Sequence, residues 1–371
     1  MKTVCEENEC NGCMACVEIC PKRCINIEDK IQFLNATIDE KKCVNCNKCK
    51  NVCPNINKVV KMNVKEWYQG WIKTNERRES SSGGIAAAIM KKVILDGGYV
   101  ATCCWENQKF SFDLTNNIKD IKKFLGSKYV KSNPEGIFQK IKEKIMDNKI
   151  LFIGLPCQVA ALKNIIKNDE NLYTVDLICH GTPSQLLLEK YLEEKNIDIK
   201  EIDRITFREK SNYGIKINEK NIDKLNVMDE YICAFLEGIS FTENCYNCEY
   251  ACSTRISDLT IGDSWGTELK DEIKNGVSLI LVQNEKGKYL IEDDNIVLKK
   301  VDIKNAIDNN HQLSHPTKKS TKREKLFYLL DKGYSFKKTV KYVLPKRIVK
   351  QKIKGIIKKI NNKMKENGEK I

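Results

Sequence analysis

Beyond residue 65, short apolar runs alternate with amphipathic stretches, the pattern of strands interleaved with helices. Residues 68–74 read as a strand, 80–84 (SSSGG) as a turn, and Ile85–Leu95 as the helix it feeds. Residues 98–104 read as a strand and 137–146 as an amphipathic helix. Ile150–Gly154 is a short buried strand that runs through Pro156 into a helix ending near 166. A strand over 172–179 stops at His180-Gly181-Thr182-Pro183, before a helix over 184–195. Later strands are predicted at 202–207, 258–262, 277–283 and 295–299. This alternation predicts an α/β domain with a mixed sheet. From Ile348 the apolar positions take the helical period: Val349, Ile353, Ile356, Ile357, Ile360 and Met364 share one face, and Pro345 suits the first turn.

Charge alters the picture at the C-terminus only. Of 64 Lys+Arg and 50 Asp+Glu in 371 residues, 19 and 4 lie in 317–371, leaving 1–316 close to neutral. A nucleic-acid reading of the basic total would reflect the tail alone, whose last stretch, 345–371, has no aromatics interleaved with its lysines, so no nucleic-acid partner is expected. A basic amphipathic helix suits the surface of an anionic membrane, or else packs its isoleucines on the body. The first ten residues (MKTVCEENEC) contain no apolar core, so no signal peptide is expected, and no stretch reaches the ~18 apolar residues of a membrane span. A cytoplasmic protein follows, possible contact with the inner face of the membrane being through the tail. In a reducing compartment, 18 cysteines point to metal or redox chemistry rather than to a disulfide scaffold.

The cysteines repeat. Cys10, Cys13, Cys16, Cys20 and Pro21 recur 33 residues on as Cys43, Cys46, Cys49, Cys53 and Pro54, both copies reading C-x2-C-x2-C-x3-C-P. Short strands are expected between them at 25–27 and 36–38. This is the spacing of bacterial two-cluster ferredoxins, in which the Cys before proline serves the other cluster. Cys10, Cys13, Cys16 and Cys53 are therefore assigned to one 4Fe-4S cluster, and Cys43, Cys46, Cys49 and Cys20 to a second. Zinc sites use C-x2-C pairs with longer spacers and do not account for a triple-Cys run. Cys5 and Cys24 miss the spacing and read as small buried residues. Farther on, Cys157, Cys179, Cys245 and Cys248 sit at predicted turns. Each is a separate buried thiol, or together they are the four thiolates of a third cluster. Cys103, Cys104 and Cys233 read as core, and Cys252 lies close enough to Cys248 to substitute as a ligand.

Six ordered segments carry a resemblance: 80–84 (SSSGG), 125–130 (LGSKYV), 154–162 (GLPCQVAAL), 176–184 (DLICHGTPS), 245–250 (CYNCEY) and 258–266 (DLTIGDSWG). They resemble the β subunits of coenzyme F420-reducing hydrogenase and F420-linked formate dehydrogenase, above all bacterial homologues with an N-terminal two-cluster ferredoxin. The 7-hydroxymethyl chlorophyll a reductase of plants is a relative. The resemblance spans about residues 1–300. It implies FAD in the α/β domain, held by Ser80, Ser81, Ser82, Gly83, Gly84, Ser127, Lys128 and Tyr129. It also implies a third cluster on Cys157, Cys179, Cys245 and Cys248. Cys252 departs from the family pattern, and nothing past residue 316 matches.

An α+β chain is thus expected: a two-cluster ferredoxin domain (1–60), an α/β flavin and iron–sulfur domain (66–316) and a basic amphipathic helical tail (317–371). Gly83 and Gly84 at a helix start suit a pyrophosphate, with Lys128 as a cation, although an N-cap serine run alone reads the same way. There is no G-x-G-x-x-G for a Rossmann site. His180 is either a proton donor or a turn histidine bonded to backbone; Trp265 packs beside a cofactor or in the core. The function expected is electron transfer between a ferredoxin or another redox protein, the clusters and FAD, with hydride or two-electron transfer to an unidentified acceptor. Its rivals are an electron-transfer subunit without a substrate site and a non-enzymatic iron–sulfur interaction protein.

Overall fold

The computed structural model describes residues 2–167 and 170–368, with side chains as far as residue 361. Near the N-terminus β1 (Ile25–Asp29) and β2 (Leu34–Ile38) form an antiparallel hairpin flanked by the short helices Ala15–Ile19 and Lys48–Val52. The body is built on an eight-stranded mixed sheet. Its strands are β3 (Glu66–Ile72), β4 (Tyr99–Glu106), β5 (Lys109–Thr115), β6 (Ile150–Gly154), β7 (Leu172–Leu177), β11 (Leu259–Asp263), β12 (Ser278–Val282) and β13 (Ile296–Lys300), in the order β13-β3-β12-β11-β7-β6-β4-β5. A separate three-stranded sheet holds β8 (Ile205–Glu209), β9 (Asn212–Ile217) and β10 (Lys220–Asn221).

Strands β4, β6, β7 and β11 run parallel. Their apolar, β-branched runs are those of a sheet covered on both faces. The helix Ile85–Leu95 packs Ile89 and Val93 on one face; Pro156–Ile165 and Ile137–Lys144 pack Val159, Ala160 and Ile141 into another core cluster. Because β6 and β7 are adjacent and parallel, the turns after them, with Cys157 and Cys179, leave the sheet at the same edge. Such carboxyl ends are where open α/β sheets bind ligands.

Two expectations require correction. Strand β5 was not among the predicted elements, although Phe110, Phe112 and Leu114 alternate as a half-buried strand should. Over its described residues the segment from 317 forms three helices instead of one, and the first two pack on the body. Helices Thr321–Asp331 and Phe336–Val343 bury Leu326, Phe327, Phe336 and Val340 against Tyr191, Phe207 and Tyr231. Each such side chain contributes about 1.5–3 kcal/mol, more than solvated lysines lose by repulsion. Arg323 is buried in the same region, pairs with Glu243 at 3.0 Å and donates to the Gln32 carbonyl at 3.0 Å. Only the last helix, Pro345–Gly368, keeps the expected exposed face. It docks through Ile348 and Gln351, with Gly355 against Leu225, while Val349, Ile353, Ile356, Ile357 and Ile360 are about half exposed. The side chain of Met364 lies outside the described residues. Among the described residues no helix is long and apolar enough to cross a membrane.

Candidate functional site

The two cysteine repeats have one backbone. Gly12 and Asn45, each between the first two cysteines, are left-handed (φ +64° and +54°), as are Met14 and Asn47 before the third (φ +62° and +57°). The Gly12 amide donates to Cys10 Sγ, and the Asn45 amide to Cys43 Sγ, both at 3.4 Å. Cys10, Cys13, Cys16 and Cys53 line one hollow, with Cys5 beside them. Cys43, Cys46, Cys49 and Cys20 line another, with Cys24. Cys5 and Cys24 are buried, and Cys24 Sγ lies 3.4 Å from Cys20 Sγ. Burial pushes Cys13 well up and Cys16 to about 12, while a hydrogen bond with Cys5 and burial drive up Cys53. Four cysteines lining each hollow supply the sulfur donors that iron–sulfur ligation uses.

The third group also gathers. Cys157 sits in the first turn of Pro156–Ile165, Cys179 follows β7, and Cys245 and Cys248 lie in and just after the turn Glu243–Asn247. Burial raises Cys157 to about 12 and Cys248 to about 11; Cys179 is also raised by burial and then by Cys245, Cys157 and Cys248, which face it. Thr242 Oγ1 lies 3.5 Å from Cys245 Sγ. The buried Lys131 faces Cys245, Cys157, Cys179 and Cys10; burial lowers its pKa, but those thiols outweigh it and leave it raised. Cys252 instead contacts Thr254 and Lys61. Cys104 and Cys233 are core as expected, whereas Cys103 is only half-buried.

Next to this group is a cavity of about 340 Å3, within the roughly 300–1,000 Å3 range of small-molecule sites. Ser80, Ser81, Ser82, Gly84, Ser127, Lys128, Tyr129, Cys179, His180, Asp263 and Trp265 all line it. Gly84, at φ +88°, opens the helix Ile85–Leu95 toward it. Gly83 alone of the predicted set does not: its amide donates to Ser278 Oγ at 3.0 Å, and a Cβ there would lie 2.3 Å from the Gly70 carbonyl oxygen. It is a packing glycine. Ser80 Oγ donates to the Glu76 carbonyl, Ser82 Oγ to that of Val277, and Ser81 Oγ accepts from the Ser127 amide, so the hydroxyls shape the turn. Lys128 Nζ is turned onto the Phe124 and Leu125 carbonyls instead of standing free as a cation, and burial lowers its pKa. Asn310 Oδ1, in a residue on the cavity wall, is buried without a hydrogen-bond partner in the described structure.

Burial, then the neighbouring His311, lowers His180 to about 4, and Gln312 Nε2 lies 2.6 Å from its Nδ1. On the opposite wall the motifs give Tyr129, Asp263 and Trp265 but not Arg208, Tyr213 or Phe235, which partner them. Arg208 makes a two-pronged ion pair with Asp263 (2.5 and 3.0 Å) and lies over the rings of Tyr213 and Trp265. Tyr129 stacks on Phe235 at 4.2 Å. Nothing local in the sequence around 208 marks these residues; only an Asp-rich motif seeking a buried cation would have.

Residues 147–305 match the family described as the C terminus of the coenzyme F420 hydrogenase/dehydrogenase beta subunit, and residues 9–56 match the 4Fe-4S dicluster domain. Among solved structures, a chain of the F420-reducing NiFe hydrogenase complex from Methanosarcina barkeri is similar, with a TM-score of 0.50 and 16% identity, over 72% of this chain and 94% of that one. At that identity the likeness speaks for the fold. No protein of curated function matches the chain in sequence.

Proposed function

The chain belongs to the coenzyme F420 hydrogenase/dehydrogenase beta-subunit family and carries a 4Fe-4S dicluster domain, and on that premise we propose that it is a flavin and iron–sulfur oxidoreductase. It moves electrons between a ferredoxin or another redox protein and an unidentified two-electron acceptor. Clusters supply one-electron storage, and FAD supplies exchange between single electrons and a hydride. Cys10, Cys13, Cys16 and Cys53 hold one cluster, Cys43, Cys46, Cys49 and Cys20 the second, and Cys157, Cys179, Cys245 and Cys248 a third.

What supports the reading is contiguity. Cys49 is a close electrostatic neighbour of Cys16, Cys157 is one of Cys13, and Cys179 belongs both to the third group and to the cavity wall. Three thiol sets and a cofactor-sized cavity thus lie in series. Tyr129, Phe235 and Trp265 give the cavity an aromatic wall, and Gly84 brings a helix N-terminus to it. His180 stays neutral at pH 7. Hydrogen-bonded to the Gln312 amide through Nδ1 and neutral, it offers a hydrogen bond rather than an acidic proton at that pH. In this reading the protein works in the cytoplasm, where thiols stay reduced.

Anaerobically purified protein should carry one FAD and about twelve irons. Replacing Cys245 and Cys248 with serine should leave about eight irons. Stoichiometric zinc, or iron without flavin in any preparation, would sink the proposal.

The half-exposed Val349, Ile353, Ile356, Ile357 and Ile360 favour a further element of this reading, contact with the inner face of the membrane. Each lysine near anionic lipid contributes ~1 kcal/mol, and Lys346, Lys350, Lys352, Lys354, Lys358 and Lys359 lie on this helix. Full-length protein should sediment with anionic vesicles at low salt, and protein lacking residues 345–371 should not.

A further inference from the structure

The hollow formed by Cys20, Cys43, Cys46 and Cys49 opens at the surface, with Cys46 exposed. Lys2, Lys22, Lys48 and Lys50 line that same hollow. Arg23, Lys41 and Lys42 are exposed on the adjoining chain. Among the described residues, only Lys42 of these seven forms an ion pair, with Asp39 at 3.4 Å. Val44, 56% exposed, lies among them beside Cys46. An apolar point beside an exposed thiol, ringed by cations that mostly lack carboxylate partners, differs from an ordinary solvated face, where charges of both signs alternate. It has the anatomy of a steered docking surface: apolar at the centre, with an excess of cations at the rim, seven against Asp39 and Glu40 on the adjoining chain.

The other thiol set of the repeat has the opposite surroundings. Cys10, Cys13, Cys16 and Cys53 are buried, and a surface groove beside Cys5 carries Glu6, Glu9 and Glu249, with Lys58 paired to Glu249 at 2.6 Å. The Cys46 side is thus where an exposed thiol and cations without carboxylate partners among the described residues meet at the surface, whereas the groove beside Cys5 is predominantly acidic.

We propose that the face formed by Lys2, Lys22, Lys48 and Lys50 around Cys46 docks an acidic one-electron redox protein. The inference rests on the electron-transfer function proposed above and adds the entry point and the partner's charge. The exchange is outer-sphere: one electron leaves the partner's reduced centre and one is gained by this chain, with no bond made and no proton moved.

The test measures equilibrium binding of the iron-loaded full chain to a purified acidic two-cluster ferredoxin under anaerobic conditions. At low ionic strength, K22E/K48E/K50E should bind at least about tenfold more weakly than the parent. Near 0.5 M salt the difference should shrink to about twofold or less, since the Debye length then falls to a few ångströms. A control, K346E/K350E/K354E on the last helix, should match the parent. Iron is counted in every protein first. Chains that never hold iron contradict the electron-transfer function itself. Iron-loaded parent and triple variant with equal affinity, a parent whose affinity does not change with salt, or tighter binding of a basic one-haem cytochrome would overturn the docking face while leaving that function intact.

Discussion

The two halves of the cysteine repeat have the same spacing, the same left-handed residues and the same amide-to-sulfur hydrogen bonds, yet opposite environments. In the first, Gly12, Met14 and Ala15 occupy the positions between cysteines, and all are buried. In the second those positions hold Asn45, Asn47 and Lys48, all exposed. The ligand pattern sets what can be bound; the residues between the ligands set which copy faces the body and which faces water. The helix Ala15–Ile19 touches Ile137–Lys144 and Pro156–Ile165, with Ala15 and Cys13 in the core beside Ala160 and Ala161; the helix Lys48–Val52 also touches Pro156–Ile165, but through Val52, while Lys48 stays exposed. A motif that binds the same group twice thereby acquires an inside and an outside.

The largest expected break in that comparison comes from the cysteines themselves. Cys13→Ser and Cys46→Ser should each remove about four irons. The inner change also unsettles the contact with the body, so it should lower stability by on the order of 3–5 kcal/mol, against about 1 kcal/mol for the outer one. Anaerobic thermal melts of both variants check this. Equal losses would mean that the inner set contributes nothing to docking the N-terminal region.

A subtler contrast uses the paired left-handed positions. A Cβ on Gly12 would lie 2.6 Å from Leu34 Cδ1 and 3.2 Å from Lys131 Cδ. Gly12→Ala therefore adds a clash to the cost of a left-handed L-residue, together about 1–3 kcal/mol. Asn45 already adopts that conformation with an exposed side chain, so Asn45→Ala should cost under about 1 kcal/mol. Denaturant midpoints of the two variants, at matched iron content, measure the asymmetry; similar shifts would refute it.

Much of the body was legible because its signals are local. The Ser-Ser-Gly-Gly turn before Ile85 and the apolar run Ile150–Gly154 give their elements directly, and strand ends elsewhere differ by a few residues. The clustering of Cys157 and Cys179 follows from two parallel strands ending together, which alternation of strand and helix already implies. The Arg208–Asp263 pair was hidden, since it joins separate sheets across 55 residues and no short motif encodes it. The tail misled for another reason. Its lysines dominate the charge count, whereas Leu326, Phe327, Phe336 and Val340, which decide where the chain packs, are a minority spread over two short helices. Gly83 and Lys128 were assigned to the cofactor by motif, but the fold uses one for backbone contact and turns the other onto carbonyls.

The smallest expected effect concerns a buried cation on the inner side. Lys131 is buried, its Nζ donates to the Asn11 carbonyl at 3.3 Å, and it faces Cys10 together with Cys157, Cys179 and Cys245. The cations of the outer set are exposed and screened by water and salt, so no single one of them matters much to the thiols they surround. Lys131 is screened by neither. A positive charge there favours extra negative charge on whatever the inner thiols bind, which raises its reduction potential. At an effective dielectric near 20 such a charge is worth on the order of 1 kcal/mol, equivalent to about 40 mV for one electron. Lys131→Met retains the length of the side chain without the charge. Redox titration followed by electron paramagnetic resonance should show the signal of the third set, whose Cys245, Cys157 and Cys179 Lys131 faces first, and that of the inner set moving to lower potential by about that amount while the outer signal stays within error. A shift of the outer signal alone, or equal shifts of the inner and outer signals, would show that burial does not separate the two sets electrostatically, and the contrast between them would then be one of packing only.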